Sequence, residues 1–340
     1  MKKISITSNN LSVVFKQLQL QLGGKIEVKS KEYRLVVDNE LAKGFISGIS
    51  IENAIAYLEY DIFFKENVSL IGEFQKPNLI HFGYCSKGEV THSFGVEGQK
   101  NKLSQFQTGI FSTSSLMSSF LNFKKNEEVK VSVITVDVLS VSDLELKTQL
   151  QNVFQTTQED TDFSYLGSFN LKIAEKIEDL NTISQNGLIR NLLINSTVYL
   201  ILALEIEQHK YDLANSDSCC SALTQSDMEA IKDISEFIKN YPEIQYSLKY
   251  LSKKSGLSPF KLQEGFKIMH DRTVTDFIRN VRVEAAENLI RTTELNISEI
   301  VYTIGLTSRS YFSKIFKAKY KCSPKNYQNF LNTVPVLSYM

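Results

Sequence analysis

Between residues 32 and 140 the apolar residues fall in short runs, several of them alternating with polar neighbours in period two. Residues 34–37, 56–64, 68–71 and 129–138 are rich in β-branched and aromatic side chains and predict strands. Residues 79–84 and 90–94 flank a short polar stretch, which predicts a hairpin with Gly88 in its turn. Many short strands at close spacing predict a sandwich or small barrel. After about residue 142 the period lengthens to three and four. Leu188, Leu192, Leu193, Tyr199, Leu200 and Leu204 then predict helix within 179–211. Residues 214–222 are small and polar, as in a linker. From Ser226 onward the chain reads as short helices with clear starts.

One pattern occurs twice in that last part. Leu248 and Leu251 share an inner face, and Gly256 supplies the positive φ of a sharp turn. Ser258 is an N-cap, Pro259 fits the first helical position, and Leu262 and Phe266 stand four apart. Further on, Asn296 and Glu299 have capping-box spacing and Ile300 and Ile304 face inward. Gly305 makes the turn, Ser308 caps, and Phe312 and Phe316 repeat the four-residue step. Both units run short helix, Gly turn, Ser cap, second helix.

Residues 273–292 lie between them without Gly or Pro, with Phe277, Val281, Ala285 and Leu289 on one stripe. At 1.5 Å per residue such a helix is about 30 Å long. Successive major-groove faces of B-DNA lie about 34 Å apart. A rigid helix of that length suits two recognition helices on adjacent turns. Outward positions of the first are Phe260, Lys261, Gln263 and Glu264; those of the second are Arg309, Ser310, Ser313 and Lys314. These are the candidate base readers, because Arg and Lys donate to guanine, Gln pairs with adenine and Glu accepts from cytosine. Lys253, Lys254, Arg279, Lys317, Lys319 and Lys321 are candidate phosphate contacts.

At these residues the chain resembles the AraC/XylS family of bacterial transcription regulators, over about residues 227–330. The family's signature is matched by residues 300–305, 308–317, Ser323, Pro324 and Tyr327. Its first unit is matched by Leu251, Gly256, Leu257, Ser258, Leu262 and Phe266, and its connecting helix by Phe277, Arg279, Arg282, Ala286 and Leu289. Four positions depart from the pattern. Leu306 stands for the usual Phe, Gln328 for a common Arg, and Asp271 and Lys321 for a helix-ending Gly. Asp enters the left-handed region at modest cost, Lys less readily.

The resemblance implies an α+β chain of two domains. A strand-rich, cupin-like barrel or sandwich over 1–145 would bind a small-molecule effector, and a helical connector over 146–213 would dimerise. A linker over 214–225 would lead to an all-α domain over 226–332, with two helix-turn-helix units joined by a long helix. It implies a homodimer on double-stranded promoter DNA, RNA polymerase as a partner, activation as the commoner mode, and a cytoplasmic location. Residues 187–192 and 198–207 also resemble the connector of siderophore-responsive members, with Asn195 in place of a Glu. An iron-siderophore is therefore one candidate effector. Tyr84, Phe94, Phe106 and Phe111 are candidate effector contacts; filling a core is the plainer role for strand aromatics.

Composition is consistent with this picture. A length of 340 residues suits two domains and a connector. Lys+Arg and Asp+Glu both number 38, yet residues 227–330 carry 17 basic against 12 acidic side chains. A basic module beside an acidic one fits nucleic-acid contact at one end. Four cysteines form no disulfide framework or metal spacing, as expected of a reduced compartment. The amino-terminal residues have no apolar stretch of the signal-peptide kind. The most apolar run, 192–206, is short for a membrane span and is broken by Asn195, Ser196 and Thr197. His81 and His92, facing across the expected hairpin near Cys85, suggest a metal site at most weakly; no metal or cofactor is expected. Cys219 and Cys220 suit a redox or soft-metal sensor less well than a polar linker. No phosphate loop, nucleophile elbow or dinucleotide fingerprint occurs, so an enzyme is not expected. Two alternatives stay open: a regulator controlled by a protein partner, and a cupin-type enzyme fused to a DNA-binding module.

Overall fold

The computed structural model describes residues 1–29, 31–51, 54–73, 79–113, 117–154, 162–215 and 223–333. The chain divides into two compact units, Met1–Cys219 and Cys220–Met340. Cys219, Cys220 and most of the expected linker lie outside the described residues.

Unit 1 runs β1 (Lys2–Ile6), α1 (Leu11–Leu22), β2 (Lys25–Lys29), β3 (Glu32–Asp38), β4 (Ala42–Ile51), β5 (Ile55–Phe64), β6 (Val68–Gly72), β7 (Leu79–Lys87), β8 (Glu89–Phe94), β9 (Asn101–Ser104), β10 (Gln107–Thr113), β11 (Ser119–Phe123) and β12 (Glu128–Asp137). A short 3-10 turn then leads to α2 (Leu144–Phe154), β13 (Asp162–Phe169), α3 (Leu171–Thr182) and α4 (Gly187–Ala214). Among the described residues, eight strands form one sheet in the order β13-β10-β7-β12-β5-β4-β3-β2, and five form another in the order β1-β6-β11-β8-β9.

The central strands of the larger sheet are buried on both faces. Along β12, Val129, Val131 and Val133 belong to a core shared with the smaller sheet and α1. Ile134 and Val136 belong to a second core, shared with α2, α3 and α4. Period two therefore separates two apolar faces here rather than an apolar from a wet one. Glu59, on β5, is one of the acidic side chains this arrangement buries, with Glu205 of α4 another. Glu59 accepts from Tyr57 Oη at 3.1 Å and Asn181 Nδ2 at 3.1 Å, with Lys130 Nζ at 3.2 Å.

Three expectations are corrected. β7 and β8 follow one another through Gly88 at φ 73°, but they do not pair; β7 lies in the larger sheet and β8 in the smaller. The turn chemistry was right and the hairpin wrong, because the glycine carries the chain from one sheet to the other. β13 is a strand in a stretch expected to be helical; it pairs antiparallel with β10. The amino-terminal β1 and α1 fall outside the predicted elements, although Leu11, Val14, Phe15, Leu18 and Leu22 bury one helical stripe.

α4 is long and apolar enough to cross a membrane by length and composition. Ile194, Val198, Ile201 and Leu202 on one side pack in the second core, while Leu188, Ile189, Leu192 and Leu200 are exposed. An ion pair ties its first turn to β3, with Arg190 Nε and Nη2 donating to the two Glu32 oxygens at 2.6 and 2.7 Å. Asp212 ties its last turn to β13, accepting from Tyr165 Oη at 2.6 Å and Ser168 N at 2.8 Å. The residues expected as a separate connector thus share the core of unit 1.

Unit 2 is helical: α5 (Gln225–Asn240), α6 (Leu248–Ser255), α7 (Pro259–His270), α8 (Val274–Thr292), α9 (Ile297–Thr303), α10 (Arg309–Tyr320) and α11 (Pro324–Thr333). α8 buries two faces in succession rather than one stripe. Phe277 meets Phe266 of α7 with ring centroids 5.1 Å apart. Val283, Ala286 and Ile290 pack with Ile300, Val301, Ile304, Phe312 and Phe316 in a separate cluster.

Asp271 and Lys321, the two departures from a helix-ending Gly, both adopt the left-handed conformation, at φ 52° and 62°. A residue with a Cβ is disfavoured there by about 1–2 kcal/mol. Lys321→Gly is expected to stabilise unit 2 by about 1 kcal/mol in urea unfolding, and an unchanged midpoint would contradict this account.

Candidate nucleic-acid interface and interior cavity

The first helix-turn-helix unit is α6 and α7. Gly256 holds φ 73° between them, and Ser258 Oγ accepts from Lys261 N at 3.2 Å. Leu251, Leu262 and Phe266 are fully buried as expected of the inner face, while Leu248 is half-buried. Gly265 permits close approach of α5; a Cβ there would lie 1.9 Å from Ile231 Cδ1.

The outward face of α7 differs from expectation. Phe260 is 71% exposed, an unusual position for a large apolar side chain. Lys261 instead pairs with Asp227 Oδ2 at 2.6 Å, at the capping box of α5, and that cation holds the Asp227 carboxyl below its usual range. Gln263 Oε1 accepts from Val274 N at 3.2 Å and so joins α7 to the start of α8. Glu264 Oε2 is buried. Three of the four expected readers on α7 are thus half-buried, because α5 and α8 flank the helix.

The second unit is α9 and α10. Asn296 and Glu299 form the expected capping box, and Gly305 holds φ 73°. A Cβ on Gly305 would lie 2.2 Å from the Glu243 carbonyl oxygen, so this turn excludes side chains by contact as well as by conformation. Ser308 Oγ accepts from Tyr311 N at 3.2 Å. Arg309, Ser310 and Lys314 are exposed, and Ser313 is half-buried. Arg309 Nη1 donates to Ser298 Oγ at 3.0 Å, a solvent-facing contact.

Of the expected phosphate contacts, Lys253, Lys254, Arg279, Lys317 and Lys321 are exposed. Lys254 sits over the Phe237 ring at 4.0 Å, and Arg279 pairs with Asp276 at 3.0 Å. Lys319 differs: it is half-buried, pairs with Glu284 and donates to Asn280 Oδ1 at 2.8 Å. It joins α10 to α8.

A family profile described as "Helix-turn-helix domain" matches residues 251–329. The regulatory protein SoxS of Escherichia coli is 30% identical over 106 residues, 31% of this chain and 99% of SoxS. The chain belongs to the AraC/XylS family. Histidine kinase P4 of Formosa agariphila is 34% identical over 90 residues, 26% of this chain and 7% of the kinase. The transcriptional activator RhaR of Yersinia pseudotuberculosis is 28% identical over 153 residues, 42% of this chain and 48% of RhaR. The chain thus spans a small fraction of the kinase and nearly all of SoxS. This AraC/XylS member accommodates its departures locally. Gln328 Nε2 donates to the Leu295 carbonyl at 2.9 Å, and Leu306 packs against the α8–α9–α10 cluster.

Unit 1 of this family member has a partly open cavity of about 180 Å³ between its two sheets. Of the four expected effector contacts, Phe111 lines it. Phe94 packs against His92 of the lining, with centroids 4.6 Å apart. Tyr84 faces the helices instead, its hydroxyl donating to the Asn170 carbonyl. Phe106 is buried in a left-handed turn at φ 68° that precedes β10. Both aromatics serve the core. The same cavity holds His81 and His92 in its wall. The sequence had placed these two histidines together, but by way of a hairpin that does not form. Among the described residues no group of three or more His, Cys, Asp or Glu could hold a metal ion. His81 Nδ1 lies 3.0 Å from Thr135 Oγ1, and His92 Nε2 lies 3.0 Å from Ser119 Oγ. Burial lowers the His81 pKa to about 4 and, with repulsion from His81, that of His92 to about 3. Both rings are therefore neutral at pH 7.

Proposed function

We propose that this protein is a dimeric transcription activator that binds promoter DNA through α7 and α10 and is controlled by a small effector in the cavity of unit 1, a cupin-like sensor. The repeat of one motif carries the reading. Two Gly turns and two Ser caps present the starts of two helices, with Phe260 exposed on one and Arg309, Ser310 and Lys314 exposed on the other. α8 has 19 residues, hence a length of about 28 Å at 1.5 Å per residue, close to one turn of B-DNA. Phe260 suits a thymine methyl, and Arg309 and Lys314 suit guanine. The activator reading, with RNA polymerase as the partner, draws on the likeness to RhaR, which is named an activator.

Genome-wide mapping of bound sites, followed by mobility shift of a mapped fragment with the full chain, tests the DNA reading. Specific retardation is expected, with affinity falling steeply as salt rises. No enriched sites, or affinity indifferent to salt, would remove it. A reporter downstream of a mapped site should rise with the protein present; a fall would make it a repressor.

The dimer reading rests on α4. Its outer side carries Ile189, Leu192, Tyr199 and Leu200, all exposed, at steps of three, seven and one. That spacing suits a second copy of the same helix. Leu192→Glu with Leu200→Glu is expected to give a monomer in sedimentation, since both side chains are exposed and the fold does not need them. A persistent dimer would move the interface elsewhere. The effector reading favours a compact molecule. A cavity of about 180 Å³ falls below the roughly 300–1,000 Å³ typical for drug-sized ligands, and so gives an iron-siderophore no support.

A further inference from the structure

The cavity in unit 1 has a chemistry that narrows what it can hold. Its wall is mostly apolar, supplied by both sheets and by α1, and among the described residues contains no Lys or Arg. The ionisable side chains in the wall are His81, His92, Tyr60 and Asp137. His92 is 4% exposed and its Nδ1 has no hydrogen-bond partner, while its Nε2 is engaged by Ser119. A buried polar atom left without a partner is disfavoured by roughly 1–3 kcal/mol, so a shift of the ring that lets a ligand hydroxyl reach Nδ1 is favoured. His81 is only half-buried by surface yet strongly desolvated; the surface it shows is that of the cavity. The His92 ring is stacked on Phe111 at 4.0 Å and 24°, so the wall beside it is flat and aromatic.

These features select among ligand classes. A carboxylate would enter a low-dielectric space with no cation among the described lining residues to meet it and with Asp137 in the wall. A polyol would find partners in Ser8, Ser50, Ser119 and Thr135, but most of the wall it would touch is apolar. A bare hydrocarbon would leave the imidazole nitrogen unpaired. Size adds a limit, since an apolar cavity of about 150 Å³ accommodates benzene. A cavity of about 180 Å³ therefore suits one ring with small substituents.

We propose that this cavity binds an uncharged single-ring molecule with one hydroxyl group, of the phenol class, its ring among the apolar side chains and its hydroxyl hydrogen-bonded at the His81–His92 pair. The proposal deepens the effector reading above and rests on it for regulatory meaning, though not for binding itself.

Calorimetric titration of the full chain at pH 7.5 tests it with three probes of nearly the same outline: 4-ethylphenol, 4-ethyltoluene and 4-ethylbenzoate. The phenol is expected to bind at least ten-fold tighter than either of the others. His92→Phe should erase the preference for the phenol over 4-ethyltoluene while both still bind. Val133→Phe, which fills the cavity from β12, should abolish binding of all three with the thermal transition retained, which keeps the test valid if the histidine variant fails to fold. Tightest binding by the carboxylate, equal binding of phenol and toluene, binding unaffected by Val133→Phe, or no binding at all would each overturn the proposal. Adding saturating 4-ethylphenol to the mobility shift separates the two readings. Binding without a change in DNA affinity would remove the regulatory reading and leave the site standing.

Discussion

Replacing Arg309 and Lys314 together with Ala is expected to lower affinity for a mapped promoter site by about a hundred-fold or more, while binding to unrelated DNA falls far less. A side chain that reads a base edge contributes roughly 1–3 kcal/mol of discrimination, and two such losses combine when the sites are independent. Both residues are exposed, and Arg309 donates to the surface hydroxyl of Ser298 at 3.0 Å, so their removal leaves the core of unit 2 intact. A loss of specific binding then reports on recognition and not on folding. Lys253→Ala with Lys254→Ala is the contrasting pair. It should weaken specific and non-specific binding alike and flatten the salt dependence by about one unit of slope per cation. If the Arg309 and Lys314 double variant kept its preference for the mapped site in competition mobility shifts, α10 would not be a reading helix.

Phe316→Ala is expected to destabilise unit 2 by about 3–5 kcal/mol, the range for truncating a buried aromatic residue. Phe316 is fully buried and meets the rings of Phe312, Tyr320 and Tyr327 at 5.5, 4.7 and 5.7 Å between centroids. It joins α10 to α11 within the cluster that also holds α8 and α9. A domain of this size has only about 5–15 kcal/mol in total, and each kcal/mol shifts its midpoint by roughly 4–8 °C. Calorimetry of the full chain should show the transition of unit 2 lowered by more than about 10 °C and that of unit 1 unmoved. A shift of only a few degrees would mean that α10 is held by its surface contacts, Lys319 to Glu284 above all, and not by this ring.

The starts and stops of the unit 2 helices were legible because their causes are local. Ser258, Asn296 and Ser308 cap the residues that directly follow them, and Gly256 and Gly305 take the positive φ expected of them. Even the awkward conformations of Asp271 and Lys321 follow from where those residues sit in the pattern. The inner pairs Leu262 with Phe266 and Phe312 with Phe316 needed nothing beyond helical periodicity. What periodicity cannot supply is the neighbour on the other side. Lys261, Gln263 and Lys319 lie on polar faces and read as free, but α5 and α8 come to meet them. The misread β13 shows the same limit in unit 1, where the apolar strand β10 gives residues 162–169 a partner that no local signal announces.

Sequence alone determined that a carboxyl-terminal helical module carries one motif twice, that a strand-rich region precedes it, and that the chain is of AraC/XylS type. Caps, turns and hydrophobic period act over a few residues and so survive in the linear text. Tertiary structure decided which strands share a sheet, that Gly88 passes between sheets instead of closing a hairpin, and which aromatic side chains fill the core. It also decided that His81 and His92 meet at a cavity. Those outcomes depend on long-range pairing, where the choice among many partners is set by the packing of whole faces and not by any residue's own preference.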